Sequence, residues 1–444
     1  MRMHKRFLVA IPIILIVLVV IPFLIPMGAY VSNAEQVAAD ILKVPVKVGG
    51  LRIALLPTPR LNITNLVIGS DDELTVEDVA VLPALTSLFS ETKVISSLKV
   101  RRPIIKQSVL DIVSNLEGDG SANEDSGGIM IRKIVISDVQ FIWEGINIPE
   151  FNINLTLSPD NRPDSALVTT TDGKVEIKLL PESGSRKIYL SAHDWTLPVG
   201  PPLYVGQLDG EMKWMEERLE VQHLDMELYG GVVNILATLD WQKNWMLDGK
   251  LNAADIEVEK PVAMMSSSTQ LSGRLNSEGR FQSVSKEPGK LLEQLQADFR
   301  FKVMGGVLDG FDLAKAAALL GTRGGLEGQT RFDTLTGVLN VSGKQYHLRD
   351  LDIVSGLLKA TGDVKVRPNK QLGGQVKVEI KKGATLAAIP LQVSGTTEKP
   401  LLLPTKAALA GAAAGTAVLG PGVGTSLGIQ AVDKLKGLFG NKEE

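Results

Sequence analysis

The sequence predicts a mainly β protein: an N-terminal transmembrane helix, an antiparallel sheet wet on one face, a few short helices, and a Gly/Ala-rich helical C-terminus. Three observations predict it. Residues 7–30 carry no charge. Many later segments alternate apolar and polar residues with period two, as strands do. Residues 407–432 are again uncharged but dominated by Gly and Ala.

The anchor comes first. As a helix, about 24 residues rising 1.5 Å each give roughly 36 Å, enough for a hydrocarbon core of about 30 Å. Arg2, Lys5 and Arg6 precede the stretch, and Glu35 and Asp40 follow it. The positive-inside bias keeps the N-terminus in the cytoplasm and exports the rest. A cleaved signal peptide would have an apolar region of about 7–15 residues, so an uncleaved, single-pass anchor is expected. Val37 and Ile41 then share a helical face, with Glu35 and Asp40 off it, predicting a short amphipathic exit helix over 33–44.

The period then changes to two. Leu51, Ile53 and Leu55 alternate, Pro57 and Pro59 punctuate, and Leu61 and Ile63 resume the pattern. One helical turn is expected over 83–89. Residues 118–128 (GDGSANEDSGG) form a loop by composition. Beyond it the alternation is plain: Phe151, Ile153, Leu155 and Leu157; Val175, Ile177 and Leu179; Phe299, Phe301 and Val303; Val364 and Val366; Val376, Val378 and Ile380. Lys178, Lys302 and Lys377 occupy intervening positions and should face water. A weak repeat links Leu224-Asp225-Met226…Ala237-Thr238-Leu239-Asp240 with Leu351-Asp352-Ile353…Ala360-Thr361-Gly362-Asp363, predicting a recurring hairpin. Short helices are expected over 289–298 and 311–320. They are too few to cover the apolar strand faces. The sheet therefore folds onto itself, or it forms a groove lined with apolar side chains and filled by lipid. The C-terminal stretch reads as two short helical pieces around Pro421, followed by a small amphipathic end over 432–439.

Composition removes several functions. The chain of 444 residues has no cysteine, a formal net charge of −3 and no basic block, so no nucleic-acid partner and no thiolate chemistry are expected. Gly424-Thr425-Ser426-Leu427-Gly428 matches G-x-S-x-G, but no histidine follows His347 to complete a triad. His4, His193, His223 and His347 lack metal-ligand spacing, and there is no phosphate-binding loop. No catalytic residue, cofactor or metal is expected, and the chain is read as a non-enzyme.

The order of elements resembles the AsmA-like family of inner-membrane-anchored envelope proteins. The resemblance rests on the anchor and exit helix, VGGLRIALLPTPRLNITNLVIG (48–69), SLFSETKVISSLKVRRPIIK (87–106), GDGSAN (118–123), GGVLDGFDLAKAAALL (305–320) and FDTLTGVLNVSG (332–343). It implies an elongated, twisted β-sheet groove of the bridge-like lipid-transfer type. It also implies a periplasmic location for the bulk of the chain, a role in outer-membrane homeostasis, and phospholipid, the inner membrane and other envelope proteins as partners. Four regions follow: anchor 1–30, AsmA-like N-terminal region 31–128, repeating β-hairpin groove 129–400 and helical segment 401–444. The inner face of the groove would comprise Val175, Ile177, Leu179, Phe299, Phe301, Val303, Val364, Val366, Val376, Val378 and Ile380. A non-catalytic scaffold or assembly factor for outer-membrane proteins is the alternative, and a hydrolase the third class.

Overall fold

A computed structural model describes residues 28–87, 90–109, 129–143, 147–198, 202–265, 270–310, 312–318, 328–356, 358–382 and 385–410. The anchor up to residue 27, the 118–128 loop, the G-x-S-x-G match and the segment beyond 410 lie outside them. Among the described residues no helix is long and apolar enough to cross a membrane. The chain is mainly β and divides into two compact units, Met1–His193 and Asp194–Glu444.

In the first unit, helix α1 (Gly28–Leu42) starts five residues before the predicted exit helix and packs on β1 (Val46–Ala54). Glu35 fixes that contact by accepting the Val48 N–H at 2.7 Å. Strands β1, β2 (Arg60–Ile68), β3 (Leu74–Pro83) and β4 (Lys93–Lys106) form an antiparallel meander. The expected turn after Pro83 is a 3-10 turn, Leu85–Ser87. β5 (Ile129–Ile131) and β6 (Lys133–Ile142) then run parallel to β4, which the antiparallel expectation did not include. A parallel return requires a long connection, and the chain between Lys106 and Ile129 supplies the length. β7 (Phe151–Leu157), β8 (Pro163–Thr170), β9 (Val175–Glu182) and β10 (Ser185–Thr196) continue as an antiparallel meander from β6.

The second unit is antiparallel in every described pairing. β11 (Tyr204–Met215), β12 (Arg218–Leu228), β13 (Gly231–Asp240) and β14 (Trp245–Glu257) lead to helix α2 (Glu259–Met265). The short β15 (Gln270–Leu271) and β16 (Arg274–Ser285) both pair with β17 (Gln296–Asp309). The helix expected over 289–298 is reduced to two 3-10 turns, Pro288–Lys290 and Leu292–Gln294. The strand claims residues from Gln296 because Ala297 pairs in register with Phe281 and Val341. Helix α3 (Leu313–Ala318) lies within the predicted 311–320 helix. β18 (Gln329–Ser342), β19 (Gln345–Val354), β20 (Leu358–Val366), β21 (Leu372–Lys382), β22 (Thr385–Gly395) and β23 (Pro400–Pro404) complete the unit. The repeated sequence motif forms β12–β13 and β19–β20, two hairpins that each carry a register shift just before Leu224 and Leu351.

The shifts preserve the apolar face. Asp138, Asp255 and Asp350 take positive φ (57°, 55° and 51°) inside strands, a conformation that Asp and Asn tolerate better than most residues. Each donates its N–H to a side chain on the next strand: Asn152 Oδ1 at 3.0 Å, Asn276 Oδ1 at 3.2 Å and Asp363 Oδ1 at 3.3 Å. Each bulge sets two residues against one on the partner strand and so absorbs one extra residue, and the series steps from Ile136 to Val139, Ala253 to Ile256 and Leu348 to Leu351 without changing face.

A candidate apolar binding face

Cross-strand pairing turns the period-two alternation into rows. In the first unit one row runs from Leu51 through Ile63, Val79 and Val100 to Ile136. It continues through Ile153, Val168 and Ile177 to Leu190. Every member is Val, Ile or Leu. The next row over follows the same strands from Ile53 and Leu61 to Leu179 and Ile188 and is equally aliphatic. Most of these side chains stay half-exposed; Val79 and Leu179 are buried. The opposite face alternates in chemistry, with Arg52, Asn62, Lys99 and Lys178 among its members.

The second unit repeats the arrangement. From Leu224 the row passes Ile235, Leu251, Gly279, Phe299 and Leu339. It goes on through Leu348, Val364, Gly374 and Val393 to Leu402. Glycines on this face receive aromatic rings. Phe281 lies over Gly249, Phe299 over Gly279, Phe301 over Gly337 and Phe332 over Gly306, and each pair is also a cross-strand register pair. A ring laid on a glycine keeps its height above the sheet low and covers backbone that would otherwise face solvent.

One end of this face is closed. Helix α3 packs on β18, β21, β22 and β23. Asp312 Oδ1 accepts the Lys315 N–H at 2.8 Å, and Thr330 Oγ1 accepts the Leu313 N–H at 2.9 Å, satisfying two of the helix's free donors. Its Leu313 belongs to one buried cluster with Val303, Phe332, Val378, Leu391 and Ala408. Next to that plug an apolar cavity of about 450 Å³ remains, within the size range of small-molecule sites. Its lining includes Leu348, Leu351, Val364, Val366 and Val376, with Thr397 the one polar residue.

The eleven residues singled out by sequence therefore fall in different places. Val175, Ile177 and Leu179 belong to the first unit; Val175 and Leu179 are buried and Ile177 is half-exposed. Val364, Val366 and Val376 line the cavity. Phe299 and Phe301 lie half-exposed on the same face, while Phe301 and Ile380 pack against the buried cluster. Val303 (2% exposed) and Val378 (0%) are inside that cluster, not on an open surface. Lys178 and Lys302 are exposed, and the Lys377 ammonium sits 3.7 Å from Glu379 with its side chain 42% exposed. Alternation could not single out Leu313, Leu402 or Val262 as cavity residues, because helices and the last strand bring them there. The mid-strand glycines were a readable signal of close approach, but only the register shows which phenylalanine each one serves.

The opposite face is laced with exposed ion pairs such as Lys359–Asp352 at 3.5 Å and Arg349–Asp298 at 3.6 Å. Such pairs contribute at most about 1 kcal/mol each and serve chiefly to keep that face wet. His193 and His223 are exposed.

Comparison of the chain with family models, with curated proteins and with solved structures returns no match. The class that the geometry defines is a mainly β protein in which each of the two units carries an incompletely covered apolar sheet face.

Proposed function

We propose that this chain is a membrane-anchored envelope protein of the AsmA-like type, which holds phospholipid acyl chains on its apolar sheet face and moves them in support of outer-membrane homeostasis. The observation that carries this reading is the set of in-register apolar rows that stay half-exposed. Large contiguous apolar surfaces on soluble domains mark interaction sites. An acyl chain on such a surface gains about 25 cal/mol per Å² buried, with no directional preference, so it can slide along the rows. A charged head group stays at the open lip, because burying it unpaired is costly. The N-terminal stretch 7–30 anchors the protein in the inner membrane, with the bulk of the chain in the periplasm.

The test is the full-length chain purified from membranes in an amphipathic polymer, followed by mass spectrometry of bound lipid. Phospholipid should co-purify. The cavity-filling variant Val364→Trp should remain folded and lose an acyl photoprobe that labels the cavity. A folded wild-type protein that carries no lipid and takes up no acyl probe would overturn the reading. Leu401 (50% exposed) and Leu403 (48%), on the far side of β23, favour the alternative of a scaffold for envelope proteins. That alternative expects Leu401→Ser with Leu403→Ser to abolish function while lipid loading is unaffected.

A further inference from the structure

We infer that the wet face of β20–β23 docks on an anionic lipid surface, with Leu401 and Leu403 entering the bilayer interface and Lys365, Arg367 and Lys399 meeting lipid phosphates. This contact is separate from the 7–30 anchor and does not depend on acyl binding by the apolar face.

Pairing puts these residues on one side of the sheet. On β23, Leu401 (50% exposed) and Leu403 (48%) alternate with Leu402, which is buried in the cluster on the other side. Leu403 pairs with Gln392, Gln392 with Gln375, and Gln375 with Asp363. One row nearer the hairpin turns, Leu401 pairs with Ser394, and Lys365 pairs with Gly373. Arg367 lies two residues after Lys365, and Lys399 two before Leu401, so alternation carries both onto the same face. Three strand spacings, about 14 Å, separate β20 from β23. The surface between is low: a carbon added at Gly373 would meet nothing within 4 Å.

Charge decides what this patch fits. Lys365, Arg367 and Lys399 are exposed, and no ion pair holds them among the described residues. The neighbouring Lys370 and Lys377 are balanced by Glu398 at 3.3 Å and Glu379 at 3.7 Å. Asp363 accepts the Asp350 N–H at 3.3 Å and lies 3.9 Å from His347. The face around the leucines therefore keeps a net positive charge.

The two leucines alone would suit a protein partner as well as a membrane. Protein interfaces, however, are enriched in aromatic residues and depleted in lysine, whereas here lysines surround the leucines and the cross-strand partners are Ser394 and Gln392. A partner adding a strand would need free N–H groups along the edge, and β23 begins and ends with Pro400 and Pro404, which have none. A bilayer needs neither. The leucines gain by burial in its interface, and each basic residue near an anionic surface adds attraction.

The chain has no cysteine, so one introduced thiol can carry an environment-sensitive dye. Full-length Ser394→Cys protein, labelled and held in phosphatidylcholine nanodiscs, is mixed with vesicles of phosphatidylcholine and phosphatidylglycerol. The dye should shift to the blue and the loaded nanodiscs should float with the vesicles, while empty nanodiscs should not. The same dye on Ser342→Cys, an exposed position of β18, should not shift. Vesicles of phosphatidylcholine alone should bind about tenfold more weakly or less. Lys365→Gln with Lys399→Gln should weaken binding about thirtyfold, at roughly fivefold per cation, and Lys365→Glu with Lys399→Glu should abolish it. Leu401→Ser with Leu403→Ser should weaken it about tenfold. All these positions are exposed, so the urea unfolding transition should be unchanged. Equal binding to neutral vesicles, equal dye shifts at the two sites, or binding that survives charge reversal would each overturn the inference. So would loss of self-association in the Leu401→Ser, Leu403→Ser protein with vesicle binding intact, which would make the patch a protein interface.

Discussion

Phe299 lies across Gly279, its register partner on the neighbouring strand: a methyl group on Gly279 would stand 2.5 Å from Phe299 Cδ1 and would also collide with the Asp298 carbonyl oxygen. The ring occupies the space that a side chain would have taken. The same relation joins Phe301 to Gly337, where the added carbon would meet Cζ at 2.9 Å.

The first prediction concerns these pairs. Gly279→Ala must move backbone as well as the ring, and should destabilise the protein by about 2 kcal/mol. Gly337→Ala meets the ends of Phe301 and Leu351 at 2.9 and 3.0 Å and the Arg349 carbonyl oxygen at 3.1 Å, looser contacts than at Gly279, and should be milder. At Gly373 nothing lies within 4 Å of an added carbon, so Gly373→Ala should stabilise by about 0.5 kcal/mol through the unfolded chain. Urea unfolding of the three variants ranks them; equal effects at Gly279 and Gly373 would refute the close-packing account.

A second prediction separates the two faces of β21. Val378 is fully buried in the cluster under α3. Val378→Asp inserts an unpaired carboxyl there and should cost more than about 3 kcal/mol, seen as loss of the cooperative unfolding transition. Its neighbour Lys377 points the other way, and Lys377→Asp should change stability by no more than about 1 kcal/mol. A folded, stable Val378→Asp protein would show that the cluster is open.

The third prediction is a pH effect at His347. Burial holds its pKa below the ordinary 6.5, and Lys365 and Arg349 act in the same direction. Asp363, 3.9 Å from Nε2, and Asp350 oppose them. The folded protein therefore binds the proton less readily than the unfolded chain. The contribution is complete above pH 6.5 and is lost as pH falls below 6.5 through the folded value. His347→Gln should flatten the dependence of thermal stability on pH in that window. A wild-type protein that gains stability on acidification there would contradict the assignment.

The fourth prediction tests the proposed topology. With residues 1–6 in the cytoplasm and the chain from Asn33 outward in the periplasm, a reporter active only in the cytoplasm should be silent when fused after Lys250. Full reporter activity would reverse the orientation and remove the proposed compartment.

By itself the sequence determined which residues can share a face. Alternation at Val175–Ile177–Leu179 or Phe299–Phe301–Val303 is a property of the extended chain, where successive side chains must point to opposite sides, and the strands lie where that pattern places them. The recurring hairpin was legible for the same reason. Alternation cannot say how a face is covered, because that depends on residues far apart in the chain. Only the tertiary structure set Leu313, Phe332 and Ala408 over Val303 and Val378, closing one part of the apolar face, while Val364 and Val376 were left lining a cavity. It also decided the parallel return of β6 onto β4 and the seating of each phenylalanine on its glycine. These follow from register, which hydrogen bonding between strands fixes and a local pattern of period two leaves free to slide by any even number of residues.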